Sequence, residues 1–95
     1  MREILVRAIR TYGESGQIDK FIEEASELIK ALLKLRYAEK DYEKEICMDA
    51  VTEEMADVEI MLDQLVIIFQ NRSKMDMKRN EKIMRLERRL DGKVY

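Results

Sequence analysis

From Gln17 to about Ala38 the apolar residues Ile18, Phe21, Ile22, Ala25, Leu28, Ile29 and Leu32 recur at three- and four-residue spacing, and the chain contains no proline to interrupt such a pattern. That periodicity predicts one long amphipathic helix. A second long helix is predicted from Val51, Met55, Val58, Leu62, Leu65, Val66 and Phe69, ending near Asn71. Two such helices joined by a short connection, placed near residues 39–43, make an antiparallel hairpin. Shorter helices flank it. The first is carried by Ile4, Leu5, Ala8 and Ile9 and is broken by Gly13-Glu14-Ser15-Gly16, with Ser15 or Gly16 as the cap of the next. The last starts at a Ser73 cap, with Asp76 in place of the capping-box acid, carries Ile83, Leu86 and Leu90 and ends at Gly92. The expected fold is all-α, one domain over residues 1–95.

A chain of 95 residues lies near the lower end of what encloses its own core. One hairpin leaves apolar surface uncovered, so two hairpins are expected to pair into a four-helix bundle, as a homodimer or homotetramer. No apolar run is long enough for a membrane span, and Arg2, Glu3 and Arg7 stand where a signal peptide needs an apolar stretch. A cytoplasmic protein without a membrane partner is expected.

Histidine is absent and Cys47 is the single cysteine. Ser-His and Cys-His nucleophiles, histidine-ligated metals and thiolate zinc sites are therefore excluded. Cys47 reads as a reduced structural thiol. Any catalysis must come from carboxylates and basic side chains. These are unevenly distributed: residues 1–73 carry 10 Lys and Arg against 16 Asp and Glu, a net of −6, and residues 74–95 carry 8 against 4, a net of +4. The first part suits a cation and the second an anion.

The acidic part contains one pattern twice. Glu23-Glu24-Ala25-Ser26-Glu27 and Glu53-Glu54-Met55-Ala56-Asp57 each place two carboxylates one helical turn apart, and an antiparallel hairpin lets the pairs converge. At about 100° per residue, Glu54 falls inside the apolar stripe of its helix, Asp57 at the stripe's edge, and Glu24 in line with Leu28, Ala31 and Leu35. Glu27 is more peripheral, and Glu53, Glu59 and Asp63 fall at or beyond the margins. Ionised carboxylates in an apolar seam cost several kcal/mol each unless compensated, and the neighbouring Lys and Arg are expected to point mostly outward. A hard divalent cation resolves that cost, and an all-oxygen donor set points to Mg²⁺, with Mn²⁺ as a substitute. The competing reading makes the acids ordinary surface pairs, Glu23 with Lys20 and Glu27 with Lys30.

Lys78, Lys82, Arg85 and Arg89 form a basic stripe on the last helix, suited to grip phosphate oxygens; the alternative is a solvated basic face. The acidic remainder of the chain and the lack of aromatics within this stretch argue against a nucleic-acid polymer as partner.

Glu-Glu-Ala-Ser-Glu-Leu at 23–28 and Glu-Glu-Met-Ala-Asp-Val at 53–58, with 26 residues between Glu27 and Glu54, resemble the paired acid motifs of the all-α, MazG-like nucleoside triphosphate pyrophosphohydrolases. The resemblance covers roughly residues 17–70. It implies that Glu24, Glu27, Glu54 and Asp57 bind Mg²⁺, and that the reaction is hydrolysis of a nucleoside triphosphate, a deoxynucleotide or non-standard one, to the monophosphate and pyrophosphate. Glu27 is then the candidate base, and Glu23 an extra ligand or water-orienting group. By the same resemblance Lys82, Arg85 and Arg89, with Asn80 behind them, are candidates to hold phosphates, and Gln17 to contact base or sugar, although a surface glutamine at a helix start is the plainer reading. An aromatic clamp for the base would come from Tyr12, Phe21, Tyr37, Tyr42 or a second subunit. Two alternatives stand beside this reading: a phosphoribosyl-ATP pyrophosphatase, and a non-catalytic helical interaction module.

Overall fold

The computed structural model describes residues 1–92 and consists of four helices: α1 (Arg2–Tyr12), α2 (Glu14–Tyr37), α3 (Asp41–Phe69) and α4 (Arg72–Leu90). No strand occurs among the described residues, and no helix there is long and apolar enough to cross a membrane. The all-α expectation is met.

α2 and α3 form the antiparallel hairpin, and α1 packs on both. The register can be read from contacting side chains: Gln17 meets Gln64, Glu24 meets Asp57, and Ala31 and Lys34 share a recess with Ala50 and Cys47. Each of these facing pairs adds to the same total, so one register holds along the seam and the turn lies close to its common midpoint at the Lys40–Asp41 boundary. That turn is Ala38-Glu39-Lys40, where Ala38 and Lys40 are extended (φ −68 and −87) before α3 begins. Because the two acid motifs are equidistant from it, folding the chain at this turn brings them face to face.

Helix boundaries depart from expectation in three places. Gly13, not Ser15 or Gly16, separates α1 from α2: its φ of 84 is a conformation that only glycine adopts without strain, and Ser15 and Gly16 continue inside the first turn of α2. The connection placed near residues 39–43 is shorter than that, since α3 is already helical from Asp41, where Asp41 and Glu43 in the first turn complement the helix dipole. Ser73 does not cap α4. Asn71 occupies that position with no side-chain cap bond, and Asp76 pairs with Arg72 at 3.1 Å instead of reaching back along the chain. Gly92 does follow α4 with positive φ, its N–H donating to the carbonyl of Arg89.

The core is thin. Ile9, Ala31, Val51, Met61 and Val66 are buried among the apolar residues, and no large side chain among the described residues is completely enclosed. Ile22, Ile29 and Leu32 of the α2 stripe face outward, as do Met48, Met55, Leu62 and Phe69 of α3. One hairpin has only one inner seam, and the apolar band of each helix is wider than that seam. The radius of gyration is 17.2 Å, against about 12 Å for a compact chain of this length. The excess reflects α4, which leaves α3 through the left-handed Gln70 (φ 51, ψ 44) and packs along none of the other helices.

Candidate metal centre

Where the hairpin register crosses the two acid motifs, one oxygen each from Glu24, Glu54 and Asp57 lies within 4.8 Å of the others. Two oxygens on opposite sides of an Mg²⁺ ion stand about 4.2 Å apart, given ligand distances of about 2.1 Å. Small side-chain rotations therefore suffice to bring all three onto one ion. The donors are hard oxygens, which suits Mg²⁺ and Mn²⁺ and disfavours soft metals.

Glu54 sits deepest. Its Oε2 is buried and has no hydrogen-bond partner. Desolvation pushes its carboxyl above the usual carboxylate range, and Glu24, Asp57 and Glu27 push it further in the same direction. A buried acceptor without a donor, among carboxylates that repel its charge, is what a cation would compensate.

Glu24 is the other inward acid, its side chain 13% exposed. Here one expectation fails: Lys20 does not point away but reaches Glu24 at 3.2 Å and Glu23 at 3.7 Å, being one turn below them on α2. Both acids raise the pKa of Lys20. One lysine answers one carboxylate of the three and leaves Glu54 unpaired.

Glu27 stands apart from the triad. Its side chain is 45% exposed and pairs with Lys30 at 3.5 Å, although its charge still acts on Glu54. Glu23 is exposed on the outer side of Lys20. The surface-pair reading thus holds for Glu23 and Glu27, and does not account for Glu54 and Asp57. Below Glu54 the seam opens into a recess of about 270 Å³ between Glu27, Lys34 and Cys47, with Ala31 and Ala50 as the small residues that leave the space.

Gln17 is placed differently from either reading made of it. It is buried, and its Nε2 donates to Oε1 of Gln64 at 2.6 Å, while Gln64 Nε2 reaches Met61 Sδ at 3.7 Å. The pair pins the register two helical turns from the acids. Gln64 passed unnoticed in the sequence, and its signal was there: a lone amide inside the apolar run from Met61 to Phe69.

Lys78, Lys82 and Arg89 line a groove of about 740 Å³ along α4, together with Met75, Ile83 and Leu86, and Arg85 is exposed on the same helix outside that lining. Asn80 is exposed on the same helix. Since α4 does not lie on the hairpin, none of them joins the acids within one chain. Of the aromatic candidates, Tyr12, Tyr37 and Tyr42 are exposed and Phe21 is half-buried; Tyr42 lies 5.8 Å from the Lys40 ammonium. Compared with protein-family models, with curated proteins and with solved structures, the chain shows no significant match.

Proposed function

We propose that this chain is an Mg²⁺-dependent nucleoside triphosphate pyrophosphohydrolase of the MazG-like kind, acting as a homodimer or homotetramer. The observation that carries the reading is the meeting of Glu24, Glu54 and Asp57 around a buried, unpartnered Glu54 oxygen. The reaction itself rests on the resemblance of the two acid motifs. Mn²⁺ is the expected substitute, and the cytoplasm the expected location.

Glu24, Glu54 and Asp57 are the residues that would hold the metal, and Glu27 can join them by releasing Lys30. When bound, the metal supplies positive charge to phosphate oxygens and lowers the cost of deprotonating water. The chain's own residues do the rest. Glu54, shielded on α3, fixes the centre in place. Glu27 is exposed enough to take a proton from water and close enough to the centre to feel its charge. Glu23, on the outer side, orients solvent through the network that starts at Lys20. The recess beside Glu54 offers space for the part of the substrate beyond the phosphates. Uncovered Ile22, Ile29, Met55 and Leu62 support assembly of hairpins into a bundle.

The test is release of pyrophosphate from a panel of nucleoside and deoxynucleoside triphosphates and from phosphoribosyl-ATP, with Mg²⁺ present or chelated. Mg²⁺-dependent conversion of a triphosphate to its monophosphate supports the reading. Selective cleavage of phosphoribosyl-ATP would move the assignment to that activity, and no cleavage of any compound would leave a helical interaction module.

A further inference from the structure

The two acid motifs share one pattern from their first glutamate on, and they differ one turn before the inward glutamate. Four residues ahead of Glu24 stands Lys20; four residues ahead of Glu54 stands Ala50. That offset places a side chain one helical turn below the glutamate on the same face, so the two halves of the centre are served unequally. Lys20 puts its ammonium 3.2 Å from Glu24 and 3.7 Å from Glu23. Ala50 offers Glu54 no charge, the Glu54 Oε2 stays buried without a donor, and the small alanine opens the recess beside it. Burial is unequal as well: the Glu24 side chain is 13% exposed, that of Lys20 48% and that of Glu23 62%. Lys20 therefore holds an inward acid with a long, half-exposed arm, and Glu23 gives that arm a second seat on the solvent side.

From this we infer that Lys20 is a built-in competitor of the divalent cation for Glu24: the ion enters as the Lys20 ammonium leaves Glu24 for Glu23, so that this one residue sets how tightly the centre holds metal, resting on the proposed function for the presence of the cation alone. An ammonium within hydrogen-bond reach of a ligating carboxylate stands a few ångström from an ion on that carboxylate. Repulsion between the two at that range exceeds what a half-exposed ion pair contributes. Carboxylates facing one another across the seam also repel, and Lys20 relieves one of them where the ion relieves all three. A half-exposed lysine suits the task because its hold is weak enough to be broken, whereas a fully buried pair loses much when one partner is withdrawn. The consequence is a hairpin whose acids are restrained when metal is scarce, and a cation affinity lower than the acids alone would have.

Calorimetric titration of the full chain with Mg²⁺, paired with thermal unfolding in chelator and in saturating Mg²⁺, tests this without reference to activity. Lys20→Met keeps most of the side chain's length and removes its charge; it should tighten Mg²⁺ binding about threefold to fivefold, the upper range for an ion pair of this exposure. The same variant should melt lower than wild type in chelator and level with it in saturating Mg²⁺, because the tighter binding offsets the lost pair. Ala50→Lys, at an exposed position, sets the matching ammonium one turn below Glu54 and should weaken Mg²⁺ binding by a similar factor or more. Lys34→Met is the control for charge in general: Lys34 lies about 15 Å along α2 from Glu24, beyond the screening length of about 8 Å in physiological salt, and its loss should change the Kd by less than about twofold. A Lys20→Met chain that binds Mg²⁺ no tighter than wild type, or that melts lower by the same margin in saturating Mg²⁺, has lost a structural pair only; it overturns the proposal and leaves the cation site standing. So does a Lys34→Met chain that tightens binding as much as Lys20→Met. Should Lys20→Met not fold in chelator, Ala50→Lys decides by itself, and Mg²⁺ binding unchanged or tighter in that variant overturns the proposal. A wild-type chain that binds neither Mg²⁺ nor Mn²⁺ overturns the cation site and the proposal together.

Discussion

α3 and α4 follow one another in the chain, and they fail in opposite ways when taken alone. α3 is packed on two neighbours and still overcharged, with an acid oxygen buried without a donor. α4 is well solvated and strongly basic, yet packs along none of the other helices. Burial is what makes the difference informative. An exposed acid one turn from a lysine, such as Glu27 with Lys30, is stable as it stands and needs no ligand. A half-buried acid facing two others is not, and so asks for one.

The comparison can be broken most decisively on the acidic side. Glu54→Gln keeps the size and removes the charge, and should lower kcat/KM by at least about a hundredfold, judged from what lost support of a metal site costs. Steady-state hydrolysis measures it. An unchanged rate would mean that α3 is acidic for solubility alone. Next come Arg85→Ala and Lys82→Ala. Each loses one charge-assisted contact, about 1.5–3 kcal/mol, or one to two orders of magnitude in kcat/KM. Mg²⁺ affinity measured by calorimetry should be kept. Should both retain wild-type kcat/KM on every cleaved nucleotide, the basic stripe is a solvated face.

A smaller effect belongs to the seam between the acids and α1. Gln64→Ala leaves buried Gln17 without its acceptor and should cost about 1–3 kcal/mol in urea unfolding. Gln64→Met with Gln17→Leu, which removes both partners, should cost much less. Equal losses in the two would show that the amide pair contributes through packing alone.

The smallest effect is on pH dependence without metal. Glu54 in the folded chain holds its proton above its ordinary value of 4.5, so between that pH and its raised pKa the folded state binds more protons than the unfolded one. Stability attributable to Glu54 is therefore present at low pH and lost as pH rises through the raised pKa. In chelator, the melting temperature of wild type relative to Glu54→Gln should fall across that window. A difference that stays flat or rises would show that Glu54 is not desolvated.

What the sequence revealed about this molecule follows from the range over which each signal acts. The acids were readable because helical periodicity fixes direction: Glu54 inside the stripe and Asp57 at its edge are where the structure has them. Their convergence was readable because a hairpin turn between two equidistant motifs leaves one register. Lys20 was misjudged even though its four-residue offset from Glu24 is a local signal, because an outward direction on the helix does not stop a long, flexible side chain from bending back. The Gln17–Gln64 bond spans 47 residues, and no local pattern announces such a partner. The break at Gly13 could have been chosen over Ser15 or Gly16 only by knowing the backbone angle, since all three residues are reasonable helix starts. That α4 stands off the hairpin was hidden for a different reason: amphipathicity shows that a helix has a face to cover, and says nothing of which copy of the chain covers it.

The central claim, that the two acid motifs form one divalent-cation site, is tested most directly by thermal unfolding with and without Mg²⁺ in wild type and Glu54→Gln. Binding to the folded state alone stabilises by about 2.7 kcal/mol at a hundredfold excess over Kd, on the order of 10 °C or more for a domain of this size. The account predicts a rise of that kind in wild type, beginning near the Mg²⁺ Kd and growing with the logarithm of Mg²⁺ concentration above it, and its loss in Glu54→Gln. A wild-type melting curve unmoved by Mg²⁺ or Mn²⁺, with or without a nucleotide analogue, would contradict it.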